Sequence, residues 1–354
     1  MENATAGISI RPSKNPRLTS GAAPLSFGST AADHMFTCTY GNGAWQEPSI
    51  IPFQQLSLSP FTLALHYGQS VFEGMKAFRM EDGSIGIFRI DRHWERLNRS
   101  LHRMCMPPVP EALFRAALHE LISLDRNWVP ASPGSLYIRP LVFASEARLG
   151  VKVSDQYEFI IVCSPVPPLY PDPISVKVEK NFTRAASGGT GYAKCAGNYG
   201  GAFYPTQQAR EEGFDQVIWT DESHQYFEES GTMNLMFVIG GRLVTPPLSD
   251  TILDGVTRRS LIQLAMDAGI AVEERPVHVE EVREALTAGS LTEAFGAGTA
   301  AVVAPICRIG IDGISYSLPP YTAESISEKL RVEFEAIRTG RLADRHGWME
   351  KAGR

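Results

Sequence analysis

The chain has 354 residues, 44% hydrophobic and 20% charged, which is more than one core usually organises and unlike a disordered chain. Its net charge of −6 argues against nucleic acid or an anionic membrane surface as the main partner, and no stretch approaches the roughly 20 apolar residues of a membrane span. The cysteines, odd in number and without a Cys-x-x-Cys pair, indicate neither a disulfide framework nor a metal site, so a reducing, cytoplasmic setting fits best.

Residues 1–33 read as a polar, irregular lead-in without the build of a signal peptide. A small α/β domain is expected over residues 34–163, with a strand at Ile85 to Ile90 and longer ones at Ser135 to Ala144 and Tyr157 to Cys163. Between them Pro110 and Glu111 open a helix whose apolar face runs Leu113, Ala117, Leu121. Residues 164–173 (SPVPPLYPDP) hold five prolines in ten, which reads as a stiff interdomain connector. A larger domain is expected over residues 174–354, with strands at Ile174 to Glu179, Gln216 to Thr220, Leu235 to Ile239 and Ala300 to Cys307. Its helices run from Asn198 to a stop at Gly213, from Val256 to Ala268, and through Ile326, Leu330, Phe334 and Ile337 to Gly340. The class is mixed α/β, in two domains.

The segment Arg184 to Gly201 (RAASGGTGYAKCAGNYGG) crowds six glycines around one lysine. A nucleotide phosphate loop would close on Gly-Lys-Ser/Thr, whereas the order here is Ala193-Lys194-Cys195, so that reading fails. Two readings remain: an exposed loop with an idle lysine, or a lysine whose small neighbours let its amine reach a flat cofactor and form a Schiff base. The second needs an amine that is neutral part of the time, which burial and nearby positive charge promote.

The run Gly-Gly-Thr-Gly-Tyr-Ala-Lys-Cys-Ala-Gly-Asn-Tyr at 188–199 resembles the cofactor-lysine segment of branched-chain aminotransferases, the fold type IV pyridoxal-phosphate enzymes. Glu229-Ser230-Gly231-Thr232-Met233-Asn234-Leu235 is similar to the family's pyridine-binding motif, and Phe72-Glu73-Gly74-Met75-Lys76-Ala77-Phe78-Arg79 to its first-domain signature. Ser135-Leu136-Tyr137-Ile138-Arg139-Pro140, Phe295-Gly296-Ala297-Gly298-Thr299-Ala300 and Trp348-Met349 complete six matches in the family's order.

The resemblance implies a fold type IV α/β architecture with pyridoxal 5'-phosphate as cofactor. It implies that Lys194 forms the Schiff base and moves the proton at Cα, and that Glu229 pairs with the pyridine nitrogen, with Thr232 in the same motif. The adjacent Glu228 reads as an exposed acid. Tyr199 is expected to hydrogen-bond the cofactor's phenolic oxygen. Arg96 is expected to bind phosphate; its selection over Arg92, Arg99 or Arg103 rests on alignment alone. Val256 and Thr257, at the start of a helix, add backbone donors for the phosphate, and Thr299 and Ala300 add donors for phosphate and substrate carboxylate. Tyr67, Phe72, Tyr137 and Arg139 are expected to form the substrate pocket, Tyr137 and Arg139 sharing a strand face, with Arg139 toward a γ-carboxylate.

The activity implied is ping-pong transamination between leucine, isoleucine or valine and 2-oxoglutarate, by a homodimer whose partners are small amino acids and 2-oxo acids. Rivals in the same fold are a transaminase for an unusual branched or β-substituted amino acid, a D-amino-acid transaminase and an aminodeoxychorismate lyase. A non-catalytic binding protein would have no need of Lys194, Glu229 and Tyr199 together. A zinc deaminase would use His93-Trp94-Glu95, but its Pro-Cys-x-x-Cys partner is missing. The Cys-x-x-Cys redox switch of some family members is replaced by Ala300-Ala301-Val302-Val303-Ala304.

Overall fold

The computed structural model describes residues 7–17, 28–167 and 172–353. By internal contacts the chain divides into two compact units, one within Met1–Leu169, Ala193–Gly197 and Ile337–Arg354, the other within Tyr170–Tyr192 and Asn198–Ala336. One of these divisions falls within the connector expected over residues 164–173, and the segments Ala193–Gly197 and Ile337–Arg354 group with the first unit.

The first unit contains β1 (Ser9–Ile10), β2 (His34–Gly41), β3 (Ala44–Pro52), helix α1 (Leu63–Tyr67), β4 (Ser70–Phe72), β5 (Met75–Arg79) and β6 (Ile85–Phe88). Helices α2 (Ile90–Arg103) and α3 (Glu111–Leu124) follow, then β7 (Ser135–Ala144) and β8 (Tyr157–Val166). The sheet runs β1-β3-β2-β8-β7-β5-β6, closed at the far edge by the terminal strand Met349–Lys351, and β4 also pairs with β7. The lead-in is thus not wholly irregular: β1 lies parallel to β3, and Arg17 donates to the carbonyls of Ala31 and Ala32.

Three expectations shift here. The strand expected to Ile90 stops at Phe88, since Arg89 turns the backbone into the left-handed region (φ 47°) and Ile90 begins α2. Strand β8 continues through Ser164, Pro165 and Val166, residues read as connector; proline is tolerated there because β2 has ended and β8 pairs with β7 alone. The rest of that connector includes residues 168–171, which lie outside the described residues. Finally, α3 buries Phe114, Ala117, Leu118, Leu121 and Ile122, with Leu113 only half-buried. Each large side chain so buried contributes about 1.5–3 kcal/mol before entropy is counted.

The second unit contains β9 (Ile174–Val178), α4 (Gly197–Gly200), α5 (Phe203–Glu211), β10 (Gln216–Thr220), β11 (Phe227–Ser230), β12 (Met233–Ile239) and β13 (Arg242–Thr245). After these come α6 (Val256–Asp267), β14 (Val272–Glu274), α7 (Val279–Ala288), β15 (Leu291–Gly298), β16 (Val302–Ile311), β17 (Ile314–Ser317) and α8 (Ile326–Arg338). The strand path β11-β10-β9-β16-β15-β12 returns to its start because β12 also pairs with β11, so six strands close into a ring. Closure removes sheet edges and encloses an apolar core that includes Val176, Ile218, Leu235, Phe237 and Ile309.

The strand expected at Ala300 begins at Val302, since residues 299–301 form the turn after β15 and Val302 itself has φ 65°. The strand expected from Leu235 begins two residues earlier, at Met233. The helix expected from Asn198 to Gly213 is two helices, α4 and α5, interrupted beside Gly200 and Gly201, where missing side chains weaken helical propagation.

Candidate active site

The chain around Lys194 runs beside β4 almost as a strand. Phe72 N–H donates to the Lys194 carbonyl at 3.0 Å, Ala196 N–H to the Ser70 carbonyl at 3.0 Å, and Val71 and Cys195 form an antiparallel bridge. Ala193 and Cys195 are buried on either side, which explains why small residues flank the lysine. The Lys194 N–H donates to Ser100 Oγ at 2.9 Å, so α2 fixes the same residue from a second direction.

The Lys194 amine lies 4.9 Å from the centre of the Phe72 ring. Its pKa is pushed down to about 8, first by burial and next by the positive charge of Arg96, with Arg139 adding to the effect and Glu73 and Tyr137 opposing it. This amine is poised near neutrality.

Helix α2 supplies the charge. Its buried stripe runs Ile90, His93, Arg96, Leu97, Ser100 and Leu101, so three polar side chains occupy core positions. Arg96 is the buried arginine of the helix; Arg92 and Arg99 are exposed and Arg103 is half-buried. Arg96 donates from Nε (2.7 Å) and Nη2 (2.8 Å) to the two oxygens of Glu73, a fork that matches a carboxylate. His93 Nδ1 is 2.7 Å from Glu73 Oε2. Burial opposes a charge on Glu73, but the Arg96 guanidinium and the His93 contact outweigh it and hold the carboxyl well below the usual range. Burial, with Arg96 and Lys194 nearby, lowers the pKa of His93 and favours a neutral ring, against the pull of Glu73. His93 is therefore committed to Glu73, and the described residues hold no cluster of three or more potential metal-ligating side chains.

Strand β7 presents Tyr137 and Arg139 half-buried between fully buried neighbours, and Arg139 Nη2 donates to the Tyr137 hydroxyl at 2.9 Å. The Arg139 guanidinium lies 4.5 Å from the Phe72 ring centre and 5.2 Å from that of Tyr137. Gly74 is required by this arrangement: a Cβ there would meet Tyr137 Oη at 2.1 Å. Lys194, Phe72, Arg96, Tyr137 and Arg139 thus form one cluster. Tyr67, at the end of α1, is exposed, and its hydroxyl accepts from Gly150 N–H at 3.1 Å.

In the second unit several of the remaining residues gather at one end of the ring. Register places Glu229 opposite Asn234 and Asn234 opposite Ala297, with Thr232 exposed in the β11–β12 turn and Thr299 and Ala300 in the turn just past β15. Glu229 is buried; it accepts from Leu253 N–H at 2.6 Å and faces Arg184 Nε at 3.1 Å. Asn234 Nδ2 donates to the Leu253 carbonyl at 2.8 Å, and a Cβ on Gly255 would meet Asn234 Oδ1 at 1.9 Å. These contacts draw the start of α6, with buried Val256 and Thr257, against β11 and β12. No side chain caps α6, and its first N–H groups lack helical acceptors, a setting suited to an anion. Tyr199 is half-buried in α4, in a loop held by Thr190 Oγ1 donating to Asn198 Oδ1 and Asn198 Nδ2 donating to the Thr190 carbonyl.

Sequence reasoning missed several members. Glu73 sits inside the first-domain signature and His93 inside the discarded deaminase spacing, yet no local pattern marks a buried acid as the partner of an arginine 23 residues away. Arg184 and Asn234 were likewise visible only as parts of longer runs. Glu228, read as an exposed acid, is buried, accepts from Thr251 Oγ1, and has its pKa raised, chiefly by burial.

Comparison with known proteins agrees with this geometry. The amino-transferase class IV family profile matches residues 70–309. The branched-chain-amino-acid transaminase 1 of Bacillus subtilis is 45% identical over 331 residues, covering 92% of this chain and 93% of that protein. The solved branched-chain amino acid aminotransferase of Escherichia coli superposes with a TM-score of 0.74 at 27% identity, over 91% of this chain and 99% of that one. The branched-chain amino acid aminotransferase of Thermoproteus uzoniensis, a thermophilic archaeon, solved with norvaline, gives 0.75 at 25% identity, over 90% and 100%. With the lysine, the buried acids and the profile in agreement, the chain belongs to the class IV aminotransferases and, among them, to the branched-chain amino acid aminotransferases of fold type IV.

Proposed function

We propose that this chain is a pyridoxal-phosphate-dependent transaminase exchanging the amino group between leucine, isoleucine or valine and 2-oxoglutarate. The observation that carries the reading is the Lys194 amine, lowered to about 8 and set beside Phe72, Arg96 and Arg139. The residues present fit the cofactor: a near-neutral lysine, a buried carboxylate at Glu229, and uncapped N–H groups at the start of α6.

When bound, the cofactor supplies an electron sink for the charge that develops at the amino acid's Cα. Lys194 would hold it covalently through Nζ, and the same amine would carry the proton to and from the substrate's Cα. Glu229 keeps a proton on the ring nitrogen. Arg96 and the N–H groups of Val256 and Thr257 bind the phosphate, Thr232 and Thr299 add hydroxyls, and Tyr199 tunes the ring by a hydrogen bond. Phe72, Tyr137 and Tyr67 enclose an aliphatic side chain; Arg139 receives the γ-carboxylate of glutamate, and Ala300 helps seat the α-carboxylate. The reaction is ping-pong: one amino acid leaves as its 2-oxo acid before the second oxo acid takes the amino group.

We also place the protein in the cytoplasm, in keeping with five free cysteines, and as a homodimer. No helix among the described residues is long and apolar enough to cross a membrane. Support for the homodimer comes from exposed Phe61, Leu65, Tyr67, Leu149, Val151 and Val153, whose two segments are tied by Arg148 N–H to the Phe61 carbonyl and Gly150 N–H to the Tyr67 hydroxyl.

The test is a spectral titration of the cofactor-loaded protein with leucine, glutamate and D-alanine added separately. The expected result is a visible band bleached by leucine and glutamate and untouched by D-alanine. A band that leucine leaves unchanged would reassign the substrate to an unusual amino acid. No band after adding pyridoxal phosphate would overturn the reading.

A further inference from the structure

Strand β11 is buried along its whole length and carries two successive acids, Glu228 and Glu229, which alternation sends to opposite faces. Two adjacent buried carboxylates are costly as anions, and one of them needs a fixed cation if it is to stay charged. The cation beside them is Arg184, its side chain 10% exposed and that of Glu229 3% exposed, with Nε 3.1 Å from Glu229 Oε2. Arg184 Nη2 donates to the Gly191 carbonyl at 3.0 Å and to the Thr251 carbonyl. The guanidinium is therefore pinned between the glycine-rich loop, the Thr251 segment and Glu229. On the other face, Glu228 accepts the Thr251 hydroxyl and leaves Oε2 buried without a hydrogen bond, which suits a neutral carboxyl.

We propose that Arg184 is a positioning residue whose fixed charge keeps Glu229 ionised and thereby keeps a proton on the ring nitrogen of pyridoxal phosphate. This rests on the reading of Glu229 as the ring-nitrogen partner. A proton shared between a carboxylate and an aromatic nitrogen stays on the group with the higher affinity. A permanent positive charge behind the carboxylate lowers the carboxylate's affinity, and arginine supplies that charge at every working pH. Glu228 is charge-coupled to both members of this pair, and it also feels Asp221. The same side chain also braces the loop that leads to Lys194 through Gly191, so its charge role must be separated from its bracing role.

The experiment loads the wild type, Arg184→Gln, Arg184→Lys and Glu229→Gln with pyridoxal phosphate labelled with ¹⁵N in the ring, and follows the ring-nitrogen shift with pH. Arg184→Gln is expected to lose the ring proton at least about one pH unit below the wild type, a tenfold change in proton affinity. Arg184→Lys, which keeps the charge and loses the fork, is expected to stay near the wild type. If Glu229→Gln releases the ring proton while Arg184→Gln titrates like the wild type, the proposal is overturned and the reading of Glu229 stands. If Glu229→Gln changes nothing, the reading of Glu229 itself falls. If Arg184→Lys drops as far as Arg184→Gln, bracing rather than charge is the cause, which also overturns the proposal. Should Arg184→Gln fail to take up cofactor, Arg184→Met replaces it in the same comparison.

Discussion

At Lys194 the decisive property is proton affinity. The amine's pKa is lowered from 10.5 to about 8, first by burial and then by Arg96, so folding favours the neutral form relative to the unfolded chain. The unfolded chain has an ordinary lysine, near 10.4, and between about 8 and that value it binds a proton that the folded chain does not. This group therefore adds to stability as pH rises across that window, and its penalty is complete below it. In cofactor-free protein, reductive labelling with a limiting aldehyde should modify Lys194 with a midpoint near pH 8, read by peptide mass spectrometry. A Lys194 midpoint matching the surface lysines would remove the argument. Gly74 acts by absence: Gly74→Ala would drive a methyl into Tyr137 Oη and part it from Arg139. Its kcat/KM with glutamate should fall by roughly tenfold or more, about 1.4 kcal/mol of transition-state binding, with the circular dichroism unchanged.

At the scale of the element, α2 shows how an amphipathic helix can carry a site. Its buried stripe has the expected spacing, but His93, Arg96 and Ser100 occupy three of its positions, and Glu73 satisfies two of them. Glu73→Gln leaves Arg96 buried against a neutral amide, its partner's charge gone, and should cost about 3–5 kcal/mol in urea unfolding. The pH dependence has a definite sign. Glu73 is held below its unfolded pKa, so its contribution is complete above the unfolded value of about 4.3 and is lost as pH falls toward the folded one. The wild-type stability curve should therefore fall more steeply than that of the variant below about pH 4. Equal slopes in acid would show that the pair does not hold the charge assigned to it.

For the whole molecule, the exposed apolar side chains around Leu65 and Val151 set a test of assembly. If this face joins two copies, Val151→Asp should convert dimer to monomer in sedimentation while leaving the monomer folded. An unchanged sedimentation coefficient would place any interface elsewhere. The second unit is built by ring closure: β12 pairs with β11, β13 and β15, and that closure brings Glu229, Asn234 and Ala297 into one row.

The sequence by itself determined the mixed α/β class and the family, and it singled out Lys194 as the lysine we propose for the cofactor, because those readings rest on short motifs whose residues are adjacent in the chain. It also marked Arg96, although by alignment; only the fold shows that this is the arginine buried on the helix face beside Glu73. Strand ends shifted where one residue changed conformation, as at Arg89 and Val302, since alternation of apolar residues carries no record of a left-handed turn. Glu73, Ser100 and Arg184 were decided by tertiary structure alone. Each is defined by a partner far along the chain: Arg96 and His93 for the acid, Lys194 for the serine, and Glu229 with Thr251 for the arginine. Electrostatic and hydrogen-bond energies depend on distance in space, and local patterning encodes only distance along the chain.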